Sequence, residues 1–268
     1  MFIEHWSELD GTEEPRLISH LLRYFQPDHL TIVTRSRSPV GAGLAGSSAL
    51  NIALCAALAT WQGQSYSPES LINLALNLEA QVIRVPTGNQ DYRPAMYGGL
   101  ASIELSPSGV HRHPLSVDLN ELSERIVVAY TGETRNSGIN NWEITKRHLD
   151  GDEHVIACFQ RIRDIAIAMR IALEAQDWLE VGRQIAEEWT VRKRLAPGVT
   201  TPDIDTLIQR GYDSGARAAK VCGAGGGGCI FFLVDSSNVP AVRLAVERGG
   251  AQILDIKMDP EGLRVRCE

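Results

Sequence analysis

Apolar positions recur along this chain with two spacings, and the places where one gives way to the other mark its elements. From Glu14 to Phe25, the residues Leu17, Ile18, Leu21, Leu22 and Phe25 share one helical face that Pro27 closes. A short strand is predicted from Leu30 to Thr34. After a glycine-rich loop, Ser48 to Trp61 reads as a helix so apolar that it must be buried. Pro68 to Ile83 is predicted as a second helix with Leu71, Ile72, Ala75, Leu78 and Val82 inward, and Glu79 is the exception on that face. A polar turn, Val85 to Tyr92, leads to the strand Ala101 to Leu105. Residues Pro107 to Asn120 read as a hairpin and connection, with His111 and His113 on one face and no metal-ligating companions.

The pattern restarts at Arg125, so a boundary is placed there, giving units 1–125 and 126–268. The second unit opens with a strand, Ile126 to Tyr130, and a polar loop, Thr131 to Asn141. Helices at Glu153 to Gln176, Trp178 to Leu195 and Asp203 to Gly211 follow. It ends in strands around Lys220 to Cys222, Cys229 to Val234, Ile253 to Met258 and Leu263 to Cys267, with a helix from Val239 to Arg248. Strands that flank helices in this order predict an α+β chain whose second half has a split, ferredoxin-like arrangement.

The candidate chemistry begins in the loop Pro39 to Ala49, where Gly41, Gly43 and Gly46 precede Ser47, Ser48 and a long helix. Glycines allow close backbone approach to an anion, and the unpaired N–H groups at a helix start point toward one. Ser47 and Ser48 stand where hydroxyls either cap the helix or reach a phosphate and its Mg²⁺. The same loop spells G-x-G-x-x-G, but no strand runs directly into it and no acidic residue answers about twenty residues on, as a dinucleotide site requires. No lysine follows it, so it is not a Walker loop either. A second glycine run, Gly223 to Gly228, lies between two strands; it is either a wide bulge or a place of close approach to a ligand.

Composition narrows the partners. With 26 basic and 33 acidic residues in 268, the net charge is −7, and no dense basic run offers itself to nucleic acid or an anionic membrane. Cys55, Cys158, Cys222, Cys229 and Cys267 are odd in number and hold no C-x-x-C pair, which suits reduced thiols in a cytoplasmic protein. No apolar run approaches the roughly eighteen residues of a membrane span.

Together, the serine-ended glycine loop, the helix bearing Glu79 with Thr87-Gly88-Asn89-Gln90-Asp91 after it, and Lys220 to Gly228 resemble the GHMP kinases. That family is named for galactokinase, homoserine kinase, mevalonate kinase and phosphomevalonate kinase, and the resemblance is nearest its heptose/fucose sugar-kinase branch. Pro39 to Ala49 is similar to the motif P-x-G-x-G-L-G-S-S-A, with Ala45 and an extra Gly46, and Lys220 to Gly228 matches K-x-x-G-A-G-G-G-G. Thr131 to Gly138 is similar to the branch's substrate-side loop.

The resemblance implies a fold with a ribosomal protein S5 domain 2-like first half and a ferredoxin-like second half. It implies ATP and Mg²⁺ as cofactors and phosphoryl transfer to a hydroxyl of a sugar or sugar phosphate, such as a heptose 7-phosphate or a galactose- or fucose-like sugar. Pro39, Gly41, Gly43, Leu44, Ala45, Gly46, Ser47, Ser48 and Ala49 would hold the nucleotide, and Ser48 and Glu79 the metal. Asp91 would face the acceptor hydroxyl as the catalytic carboxylate. Gly88, Asn89, Asp91, Arg135, Gly223, Ala224, Gly225 and Gly226 would line the substrate. Read from the residues alone, the alternatives are Glu79 as a helix-surface carboxylate, Asp91 as a turn residue and Arg135 as a turn cap.

Family members open with a strand-rich segment bearing P-x-R-x-x-x-x-G, which supplies a basic residue near the reaction centre. Here Met1 stands just ahead of the first helix, so the first domain is expected to lack its leading strands and to show an open sheet edge that invites pairing, including a homodimer. A late start codon, a truncation and a catalytically impaired nucleotide- or sugar-binding protein all remain open, with Arg35, Arg37 and Arg93 as candidate replacement cations.

Overall fold

A computed structural model describes residues 16–133 and 137–267, with the side chains of 137–140 outside the description. The first part is mainly helical: α1 (Arg16–Phe25), α2 (Gly46–Trp61), α3 (Pro68–Ile83) and α4 (Tyr92–Tyr97), then an antiparallel hairpin of β1 (Ala101–Ser106) and β2 (Gly109–Pro114), and α5 (Leu119–Glu124). α3 is closed at its start by Ser67, whose side chain accepts the Ser70 N–H, with Pro68 in the first turn. Leu21, Phe25, Ile52, Cys55, Leu58, Ile72, Leu78 and Tyr92 make one core across these helices.

The second part follows the order β3 (Ile126–Tyr130), α6 (Ser137–Leu149), α7 (Glu153–Glu174), α8 (Trp178–Arg192), α9 (Pro202–Asp213), β4 (Ala216–Val221), β5 (Cys229–Val234), α10 (Val239–Arg248) and β6 (Gln252–Leu254). The four strands pair antiparallel in the spatial order β4-β5-β3-β6, the split arrangement expected of this half. Alternate residues of β5 serve two cores: Ile230, Phe232 and Val234 pack with α9 and α10, while Leu233 joins Val181 and Ile185 of α8. No helix among the described residues is long and apolar enough to cross a membrane.

Three sequence expectations are corrected. Leu30–Thr34 forms no strand: Leu30 and Ile32 pack on the first core, but no described strand lies beside them to complete a ladder. The expected strand Ile253 to Met258 shrinks to β6, and Leu263 to Cys267 is not a strand. There the chain leaves the sheet and crosses to the first part, where Gly99 N–H donates to Asp259 O at 2.7 Å and Leu263 N–H to Met96 O at 3.1 Å. Three short or polar helices, α4, α5 and α6, stand where only turns, connections and a loop were expected, because none carries an extended apolar stripe.

Candidate active site

The glycine loop and the late glycine run meet. Cys229 N–H donates to Ala42 O at 2.8 Å, and Ala42, Val128 and Cys229 form a small buried cluster that also takes Leu44 and Cys222. A Cβ at Gly228 would sit 2.7 Å from both Gly41 O and Ala42 O, and one at Gly225 would sit 2.4 Å from Val199 O. The glycines at these two positions therefore admit the chain's own backbone. The loop at 131–133 closes over the same run, with Gly228 N–H donating to Glu133 O and Thr131 donating to Gly228 O.

At the head of α2, Ala45 takes the cap position in the left-handed region at φ 56°, and no side chain caps the helix. The first amide spent inside the helix is Ala49 N–H, bonded to Ala45 O. Among the described residues, the six amides from Gly43 to Ser48 have no protein acceptor, which leaves a row of donors at the positive end of a sixteen-residue helix. Neither serine spends its hydroxyl on the cap.

Both serines stand beside Glu79 instead, close enough for their hydroxyls to lower its pKa. Glu79 is 7% exposed, and Thr87 Oγ1 donates to its carboxylate at 3.4 Å. The Tyr92 hydroxyl donates to it as well. Burial is the main cause that raises the Glu79 pKa; the three hydroxyls oppose it, and the nearby Asp91 carboxylate adds to it. Glu79 thus stands near Ser47 and Ser48, with Asp91 within electrostatic range of it. Two carboxylates and hydroxyl oxygens are a hard-oxygen donor set, the kind that suits Mg²⁺.

Asp91 stands at the cap position of α4. Two residues on, the Arg93 side chain is 3% exposed and reaches back to Asn89, with Nη1 3.2 Å from its carbonyl and 3.4 Å from Oδ1. Its Nη2 pairs with Glu69 at 2.8 Å. Arg93 is therefore engaged in holding the 89–91 turn, while Arg35 and Arg37 are exposed. Gly88 has open space where a Cβ would be. Arg135 lies outside the described residues. His111 bonds Ser108 and His113 bonds Glu104, both on the hairpin.

Sequence reasoning missed Thr87 and Tyr92 as partners of Glu79. The signal was present as polar residues eight and thirteen positions after an inward-facing acid, but only the turn between α3 and α4 brings them back.

The family model for the GHMP kinases N terminal domain matches residues 16–99, and that for the GHMP kinases C terminal matches residues 169–252. The chain belongs to the GHMP kinase family. This GHMP kinase chain is 27% identical over 243 residues to the D-glycero-alpha-D-manno-heptose 7-phosphate kinase of Campylobacter jejuni, covering 89% of itself and 71% of that protein. A C. jejuni structure described as a candidate sugar kinase is similar with TM-score 0.64 and 25% identity over 84% of this chain. The chain spans 65% of the length of that structure. Lactococcus lactis galactokinase complexed with galactose shares the fold with TM-score 0.74 at 20% identity, covering 94% of this chain and 76% of its own.

Proposed function

We propose that this GHMP kinase family chain transfers the γ-phosphoryl group of ATP to a hydroxyl of a sugar or sugar phosphate. The observation that carries the reading is the buried Glu79 carboxylate, bonded by Thr87 and Tyr92 and within electrostatic reach of Ser47, Ser48 and Asp91, at the mouth of an uncapped helix. The open amides from Gly43 to Ser48 suit the triphosphate. Ser48 and Glu79 would hold Mg²⁺, which when bound supplies charge neutralisation on the transferring phosphate. Asp91 orients the acceptor hydroxyl and takes its proton as the acceptor oxygen bonds phosphorus and the bond from phosphorus to the ADP oxygen breaks. The acceptor class is supported by similarity to the heptose 7-phosphate kinase, since fold alone does not fix a substrate.

We also propose that the chain divides at 125/126, that a second copy is a candidate partner, and that the protein works in the cytoplasm, as its cysteine usage suits. ATP consumption against a panel of hexoses, heptoses and their phosphates tests the function. Asp91→Ala is expected to lower kcat on the acceptor by about 10²–10⁴-fold while Mg²⁺-ATP binding persists. Turnover that survives Asp91→Ala would remove Asp91 from the reaction.

A further inference from the structure

The end of α8 carries an unbalanced charge beside the late glycine run. One carboxylate, Glu188, takes Arg192 Nε at 2.5 Å on one oxygen and Lys220 Nζ at 2.6 Å on the other. Two cations and one anion leave the cluster with an excess of one positive charge. Glu188 is buried, and burial alone would raise its pKa, but the charges of Lys220 and Arg192 outweigh this and hold it low. The carboxylate is therefore ionised; burial draws the Lys220 pKa down while Glu188 opposes it, and Arg192 keeps its charge.

Arg192 spends only its Nε on a protein partner; among the described residues, Nη1 and Nη2 have none. Among the described residues, it is the one charged residue lining a cavity of about 120 Å³ between α6, α7, the end of α8 and the glycine run. Asn141, Thr145, Phe159, Val199 and Ala224 are among its other walls, and among the described residues no carboxylate is. Thr145 already donates its proton to Asn141 O, so the donors left are the Arg192 fork, the Asn141 amide and the Ala224 N–H, which has no acceptor among the described residues.

A half-buried cation with spare donors is costly unless an anion meets it, and a guanidinium fork suits a tetrahedral oxyanion. The space is too small for a nucleotide and large enough for one phosphate group. We propose that this cavity is a second anion subsite, separate from the nucleotide loop, that takes a phosphate monoester or phosphate ion. Assigning that anion to the acceptor's own phosphate rests on the kinase reading; the site itself does not.

A purely structural Arg192, answering Glu188 and the carbonyl end of α8, would leave the cavity to water. Calorimetric titration of the full chain separates the two, using inorganic phosphate and a hexose 6-phosphate, with the nucleotide loop filled by Mg²⁺ and a non-hydrolysable ATP analogue. Phosphate is expected to bind, and Arg192→Met to weaken it by roughly tenfold or more, the worth of a charged hydrogen bond. Ala224→Val, which fills the cavity without touching the ion pairs, is expected to do the same and decides the matter if Arg192→Met does not fold. Tighter binding of the hexose phosphate than of inorganic phosphate assigns the site to the acceptor, and the reverse order assigns it to free phosphate. No phosphate heat in the wild type up to tens of millimolar, or heats unchanged in both variants, overturns the proposal. Failure of the ATP analogue to bind would count against the kinase reading alone.

Discussion

Glu79 is a charge placed where α3 should bury carbon, and its surroundings make ionisation there a cost to folding. Its folded pKa is raised, chiefly by burial, so the native state holds a proton more tightly than the unfolded chain. Stability is therefore lost as pH rises from the ordinary glutamate range through the raised value. Glu79→Gln keeps an acceptor for the hydroxyls and removes the charge. It should melt above the wild type at neutral pH, with the gap closing as pH falls, while Mg²⁺-dependent nucleotide affinity drops by about 10–100-fold. Melting curves across pH, with and without Mg²⁺-ATP, check both; a Gln variant that melts lower at every pH would show that the carboxylate is a structural anchor. Arg93 acts at the same scale, through the Asn89 carbonyl. Arg93→Met should cost about 1.5–3 kcal/mol in a urea titration, the range for hydrogen bonds to a charged group. Glu79 was visible in the sequence as a break in an apolar face. The inward role of Arg93 was not, because an arginine after a turn looks the same whether it faces solvent or folds back.

Elements with strong periodicity were legible, and those defined by pairing were not. α3 fills the predicted span from Pro68 to Ile83, where a serine cap, a first-turn proline and an inward face agree. β3 and β5 likewise lie where apolar runs placed them. Leu30–Thr34 has the composition of a strand and its alternate side chains do pack inward, yet a strand exists only where a neighbour supplies hydrogen bonds. The glycine run shows a further limit: its sequence announces close approach, but that Gly228 faces Gly41 and Ala42 comes from the fold. Gly228 also has φ +81°, so Gly228→Ala combines a left-handed backbone with the collision. It should destabilise by roughly 1–3 kcal/mol or more and weaken ATP binding with it, since the loop that holds the open amides leans on this contact. Thermal melts and a nucleotide titration of the same variant measure the two effects.

Across the whole molecule, the two glycine segments are joined by one backbone bond and a small cluster around Cys229, and the C-terminal stretch ties back to the 96–99 turn. Hydrogen exchange should divide the chain accordingly. Amides of β5, paired on both sides, should be among the slowest, those of residues 30–35 among the fastest, and those of 43–48 should slow only when a nucleotide is bound. Protection at 43–48 without nucleotide would mean that the donors are already satisfied. The sequence by itself determined the helices with an apolar stripe, the sheet-forming runs of the second half, and a glycine-serine loop leading into a buried helix, because periodicity, glycine freedom and a helix start are local properties. Only the tertiary structure decided that Glu79 comes to lie beside Ser47 and Ser48 at an uncapped α2, that Arg93 is engaged in a turn, and that two cations share Glu188. Each of those outcomes depends on which groups far apart in the chain are buried together, and the cost of burying an unpaired charge or polar group is set by neighbours that no local pattern names.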